Sequence, residues 1–187
     1  IIKQSSLLNS KISMNDVRTY AHSIQLDLKN LPCHVAFIMD GNGRWALSRG
    51  QERTIGHRAG VQTVKSLVKL FRHLNIPLIT IYAFSTENWL RPRYEVQFLM
   101  NLFQEVIYRE CQELKENGVR LNFIGRRHEL DQSIQQIMAW GEKETMFNKD
   151  LILNIALNYG GRTELIDVSK QIALAVKKGE LELEEIN

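Results

Sequence analysis

Nowhere in this chain do about eighteen apolar residues run together, the length a membrane-crossing helix needs, so no spanning segment is expected. The N-terminus lacks a charged stretch followed by an apolar one, and no secretory leader is read there. Cysteine is scarce: Cys33 and Cys111 form no Cys-x-x-Cys pair, and both are expected reduced and buried as small apolar groups, which points to the cytoplasm. Neither sign of charge dominates. The 24 basic and 21 acidic residues leave a net +3, too little to argue for nucleic acid but compatible with a local anion site. There is no internal repeat, no low-complexity tract and no Gly-x4-Gly-Lys-Ser/Thr string, so repeat folds and a P-loop are excluded. His22, His34, His73 and His128 show no metal-ligand spacing and read as structural or solvated.

What is present suits one globular domain: 187 residues, 44% of them hydrophobic. Residues 1–30 are polar with scattered leucines and read as a leader, with a helix around 13–29. Short apolar runs at Val35–Met39, Leu78–Phe84, Val119–Ile124 and Leu151–Leu157, each flanked by turn signals, predict strands. Between them Val61, Val64, Leu67, Val68 and Phe71 mark one helical face. Val96, Leu99, Phe103, Val106, Ile107 and Leu114 mark a second, on a helix starting at Pro92 and stopping at Gly118. Further helices are expected over 130–146, with Trp140 in its packing, and over 163–178. Strands alternating with helices predict an α/β domain: a central, mostly parallel sheet with helices on both faces.

Parallel sheets bind ligands beyond the carboxyl ends of their strands. The leading ends here are bland. The trailing ends read Asp40-Gly41-Asn42-Gly43-Arg44, Ser85-Thr86-Glu87-Asn88-Trp89, Gly125-Arg126-Arg127 and Asn158-Tyr159-Gly160-Gly161-Arg162. Glycine, arginine, carboxylate and amide thus collect on one rim.

In the first of these strings, glycines let the backbone approach an anion and Arg44 adds a bidentate donor. Asp40 alone would repel that anion, and a Mg²⁺ ion resolves the conflict, since it takes one or two carboxylates plus phosphate oxygens. An ordinary Asx-type turn is the bland alternative. Gly41-x-Gly43-x-x-Ala46 also matches a dinucleotide fingerprint, but the acidic residue expected about twenty positions on is absent. Arg53 and His57, four apart, can share a helical face and grip a diphosphate with Arg44, or form a solvated basic face. In Tyr82 through Pro92, hydroxyls, the Glu87 carboxylate and the Asn88 amide lie between Phe84 and Trp89, aromatics that can flank a developing cation or simply pack; Arg91 can supply a further phosphate donor. Arg126 and Arg127 read as surface residues.

The string His34 through Ala46 resembles the first signature of the cis-prenyltransferase (undecaprenyl diphosphate synthase) family. Tyr82 through Pro92 resembles the second, and Asn158 through Arg162 the third. The resemblance extends from about residue 33 to 187, within one domain of residues 31–187. It implies joining of isopentenyl diphosphate to an allylic diphosphate, with formation of a cis double bond. By position it makes Asp40 the Mg²⁺-associated catalytic carboxylate and Asn88 a residue assisting deprotonation. Gly41, Asn42, Gly43, Arg44, Arg53 and His57 hold the allylic diphosphate, beside Ser85, Thr86 and Glu87, with Trp45, Trp89 and Arg91 as further substrate contacts. It also implies a homodimer in the cytoplasm, with peripheral membrane contact through a lipophilic product. A branched, lavandulyl-type condensation and a non-catalytic partner subunit are alternatives within the same fold. Family members continue into an Arg-rich segment and a further carboxylate that complete the isopentenyl diphosphate site and part of the dimer contact; these 187 residues do not include them.

Overall fold

The computed structural model describes Thr19 and residues 22–186. Of the leader helix expected over 13–29, residues 13–18, 20 and 21 lie outside the described residues; helix is seen at Thr19 and residues 22–23, and residues 24–29 form turns and irregular chain. Four strands, β1 (His34–Ile38), β2 (Leu78–Ser85), β3 (Val119–Ile124) and β4 (Leu151–Tyr159), form one sheet in the order β1-β2-β4-β3. Every pairing is parallel. The helices are α1 (Asn42–Leu47), α2 (Arg53–His73), α3 (Arg93–Glu116), α4 (Gln132–Thr145) and α5 (Gly161–Lys177). No helix among the described residues is long and apolar enough to cross a membrane.

The apolar stripes legible in the sequence form the core. Val68 and Phe71 of α2, Met100 and Ile107 of α3, and Ile134 and Met138 of α4 meet the inward residues of β2, β3 and β4. The crossovers predict helices on both faces. Among the described residues the three packed helices share one side of the sheet, and α5 buries none of its residues. The other side carries a polar row. The His34 Nε2 lies 2.8 Å from the Thr80 hydroxyl, Asn154 donates to that hydroxyl at 3.2 Å, and Asn122 donates to Asn154 at 2.8 Å.

α4 lies along the free edge of β3 and satisfies its backbone. The Leu121 N–H donates to the Thr145 hydroxyl at 2.9 Å, and the Phe123 N–H to the Glu142 carboxylate at 3.0 Å. Unpaired N–H groups at a sheet edge either cost stability or recruit foreign strands. Thr145 is fully buried, so Thr145→Val keeps its shape and strands the Leu121 donor. The expected loss is about 1–3 kcal/mol, read as a lower urea midpoint with unchanged slope.

Four side chains sit otherwise than expected. Cys111 is buried, but Cys33 is exposed, because it precedes β1 at the leading end of the sheet. Trp140 is 36% exposed and stacks on Tyr108, at 73% exposure, on the outer surface of α3 and α4. Arg126 and Arg127 are not free surface groups: Arg126 grips Asp167 with two bonds of 2.7 and 2.8 Å, and Arg127 reaches Glu142 at 2.8 Å.

Candidate active site

The site grows from the end of β1. Gly41 takes a φ of 84°, a left-handed conformation open to glycine at little cost, and turns the chain directly into α1. That sharp turn brings the start of α2 against α1. A Cβ at Gly56 would stand 1.9 Å from the Asn42 carbonyl oxygen, so only glycine permits this approach. The Asn42 amide donates to the Met39 carbonyl at 3.2 Å and fills the space beside Gly60, locking the turn. Gly43 lies against the Arg53 guanidinium, whose Cζ would be 2.9 Å from an added Cβ.

β2 supplies the facing wall. Its pairing with β4 shifts register between Tyr82 and Ser85, and this bulge turns Phe84, rather than Ala83, into the core. The chain then enters a short 3-10 turn, Thr86–Leu90, fixed by a reciprocal cap in which the Ser85 N–H donates to the Asn88 Oδ1 at 3.1 Å. The Trp89 indole packs edge-on against Phe84 at 5.1 Å and donates to Asn158 Oδ1 at 2.8 Å. Asn158, fully buried with a φ of 52°, also donates to the Arg126 carbonyl and to Glu129. It thereby fastens the second motif to the loop after β3.

These walls enclose a cavity of about 540 Å³. Asp40, Gly41, Asn42, Gly43, Arg44, Arg53, His57, Ser85, Glu87, Asn88 and Arg91 line its mouth. Its floor is hydrocarbon from α2, α3 and the sheet, including Val61, Val64, Leu99, Phe103, Val106 and Leu157. A second cavity of about 130 Å³ shares Val61, Val64, Val106, Ile107 and Ile155 with the first and carries the apolar space toward the opposite end of the sheet. Three of the residues singled out in the sequence do not line the main cavity: Trp45, Thr86 and Trp89. The Arg49 Cζ lies over the Trp45 ring, 4.3 Å from the ring centroid. Thr86 packs against Gly160.

The basic groups at the mouth are paired. The Arg44 guanidinium, 2.8 Å from Asp40, together with the Gly41 N–H, holds the Asp40 carboxyl below the usual range. Both partners are over 70% exposed, so this pair is readily exchanged for other ligands. Glu95, in the first turn of α3, was not anticipated from the sequence. Burial opposes its charge, but His57, Arg53 and Arg91 more than offset this and lower its pKa. Each stands 3.1 Å from a Glu95 oxygen. Burial in turn lowers the His57 pKa, outweighing the Glu95 carboxylate, which favours the charged ring.

Among the described residues no group of three acidic, histidine or cysteine side chains converges as a preformed metal cage. An ionised, solvent-facing Asp40 beside an arginine-lined mouth nevertheless fits Mg²⁺, which is commonly held by one or two carboxylates with the remaining ligands from phosphate and water.

The site is thus a polar, arginine-lined mouth over a hydrocarbon cleft at one end of a parallel sheet. The family described as "Putative undecaprenyl diphosphate synthase" matches residues 38–187, and the chain belongs to this prenyltransferase family. It is 41% identical over 165 residues to an isoprenyl transferase of Prochlorococcus marinus, covering 88% of this chain and 61% of that protein. It is 44% identical over 164 residues to a ditrans,polycis-undecaprenyl-diphosphate synthase of Pasteurella multocida, named as (2E,6E)-farnesyl-diphosphate specific, covering 88% and 68%. Lavandulyl diphosphate synthase from Lavandula x intermedia, solved with dimethylallyl diphosphate, superposes with a TM-score of 0.78 at 32% identity, over 83% of this chain and 67% of that one. The chain thus spans about three fifths of the first of these relatives and two thirds of the other two.

Proposed function

We propose that the protein transfers an allylic prenyl group from its diphosphate to isopentenyl diphosphate, extending a cis-polyprenyl diphosphate. The observation that carries this reading is that one cavity joins a mouth lined by Arg44, Arg53 and Arg91 to a hydrocarbon floor. A diphosphate fits the mouth and its prenyl tail fits the cleft between α2, α3 and the sheet. In the reaction the allylic C–O bond breaks, a carbon–carbon bond forms, a proton is lost and diphosphate leaves. Asp40 would hold Mg²⁺, which when bound neutralises charge on the departing diphosphate.

The chain's own groups do the rest. The backbone of residues 41–44 and the Arg44 and Arg53 side chains grip the diphosphate, where donors aimed at developing charge lower the barrier most. Phe84 and the floor residues exclude water from the reacting carbon. Asn88 has its Oδ1 committed to the Ser85 N–H, so it offers the cavity an amide donor. That arrangement favours orienting a diphosphate oxygen over taking up a proton at the amide.

His57 gives a sharper expectation. Glu95 only accepts, so the proton of the neutral ring sits on Nε2, leaving Nδ1 without one. Nδ1 can hold a phosphate oxygen only after protonation, and the nearby anion raises the ring's pKa. Diphosphate binding near pH 7 is therefore expected to take up a fraction of a proton. Calorimetric titrations in two buffers of different ionisation enthalpy measure this; no uptake would remove His57 from the binding step.

The reading brings with it a homodimeric, cytoplasmic enzyme that meets membranes through its lipophilic product. The unpaired thiols of Cys33 and Cys111 support a reducing compartment. The structural likeness to lavandulyl diphosphate synthase favours one second reading, a branched condensation of two dimethylallyl diphosphates. Incubation with Mg²⁺ and each diphosphate pair, with products identified by mass and NMR, separates the two. A cis-elongated chain supports the first, and a branched C10 product the second. Failure of the isolated protein to turn over either pair favours a non-catalytic subunit.

A further inference from the structure

Glu95 is the most buried carboxylate of the described chain, 2% exposed, and it stands at the edge of the diphosphate mouth without lining the cavity. Its Oε2 accepts from Arg53 Nε, and its Oε1 faces both His57 Nε2 and Arg91 Nη1, all at 3.1 Å. The three partners come from two separate places: the first turn and a half of α2, and the turn before α3. One carboxylate therefore ties together basic groups that arrive from both sides of the cleft.

We propose that Glu95 is a positioning residue: it sets the placement of Arg53, His57 and Arg91 before substrate arrives and stays as their shared counter-ion after the diphosphate binds. This rests on the reading of the mouth as a diphosphate site. The contrast with Asp40 supports persistence. The Asp40–Arg44 pair lies in solvent at 72% and 73% exposure and can yield to an incoming phosphate. The Glu95 carboxyl is 3% exposed, and moving it away would leave three basic groups and a buried charge unpaired.

Placement and attraction pull in opposite directions here. A negative charge beside the three basic groups weakens the pull of the site on any anion. In exchange, it holds two long arginines that would otherwise sample many rotamers. Geometry of this kind is worth about 10²-fold in rate for a displacement of about 1 Å. Removing the charge should therefore leave capture of the anion intact or improved while degrading the chemical step. A residue serving only as a structural brace would not produce that split.

The test compares the wild-type protein with Glu95→Gln, which keeps the side-chain shape, and Glu95→Asp, which keeps the charge but shortens its reach. Titration with inorganic diphosphate in the presence of Mg²⁺ is read beside kcat and KM for prenyl transfer. Glu95→Gln is expected to bind diphosphate as tightly as wild type or more so, with kcat about 10²-fold lower. A tenfold or greater loss of diphosphate affinity with unchanged kcat overturns the proposal, as do unchanged affinity and kcat beside a lowered melting point. Should the Gln variant not fold, Glu95→Asp decides: a reduced kcat at retained affinity supports the role, and wild-type kcat overturns it. Wild-type protein that turns over no prenyl diphosphate defeats the functional reading instead, and the diphosphate titration alone then judges Glu95.

Discussion

Asp40→Ala is expected to lower prenyl transfer by about 10²–10³-fold while the protein stays folded. Both halves of this expectation come from where the carboxylate sits. It projects from the end of β1 into solvent at the cavity mouth, and its hydrogen bonds go to Arg44 and the Gly41 N–H. No core contact is lost, so the melting point should hardly move. Yet the turn loses its one acidic group, and with it, on the proposed function, the means of keeping a cation beside the leaving diphosphate. Arg44, freed of its partner, should still bind inorganic diphosphate in the absence of metal. Assaying turnover across a Mg²⁺ series alongside thermal denaturation checks both. Near-normal turnover in this variant would show that the carboxylate has no part in the reaction.

Gly56→Ala is expected to damage stability and activity together. The added methyl would stand 1.9 Å from the Asn42 carbonyl oxygen, 2.6 Å from its carbonyl carbon and 3.1 Å from the Ala46 methyl. The first two are backbone atoms, so no rotamer change relieves the clash, and α1 must move away from α2. Overpacking of this kind costs about 1–3 kcal/mol. Alanine's better helix propensity returns up to about 1 kcal/mol, leaving a net loss visible as a lower denaturation midpoint. The functional consequence is larger. Arg44 rides on α1, Arg53 and His57 on α2, and separating the helices pulls apart the groups proposed to hold the diphosphate. A fall of about 10²-fold in kcat/KM is expected. Unchanged kcat/KM with an unchanged midpoint would mean that the two helices tolerate separation, contrary to the packing described.

Much of this arrangement was legible in the sequence because parallel α/β order concentrates ligand chemistry at one end of the strands. The four apolar runs are the four strands to within a residue or two, and Asp40, Arg44, Asn88 and Arg91 do meet around one cavity. What escaped depends on contacts distant in sequence. Glu95 is separated from Arg53 by 42 residues, and nothing local announces the pairing. A signal was nonetheless present: Glu95 falls in line with Leu99, Leu102 and Val106, on the buried stripe of α3, where a carboxylate needs a reason. The bulge in β2 was hidden because Ala83 and Phe84 both fit an unbroken strand. Trp140 looked like packing because helical spacing gives the face of a residue but not whether another element covers it. The resemblance places Trp45 and Trp89 among the substrate contacts, whereas the helix and the 3-10 turn carrying them leave both indoles outside the cavity lining.

The hydrogen bonds that α4 sends to β3 limit how this sheet can grow. With the Leu121 and Phe123 amides already committed to Thr145 and Glu142, that flank has no regular ladder to offer a newcomer. Among the described residues β1 is the opposite border, joined to β2 alone. Any additional strand, from the same polypeptide or another, has one place to enter: alongside β1, next to the turn that carries Asp40. Enlargement of the sheet would then extend the wall nearest the anion cradle and leave the hydrocarbon floor unaltered.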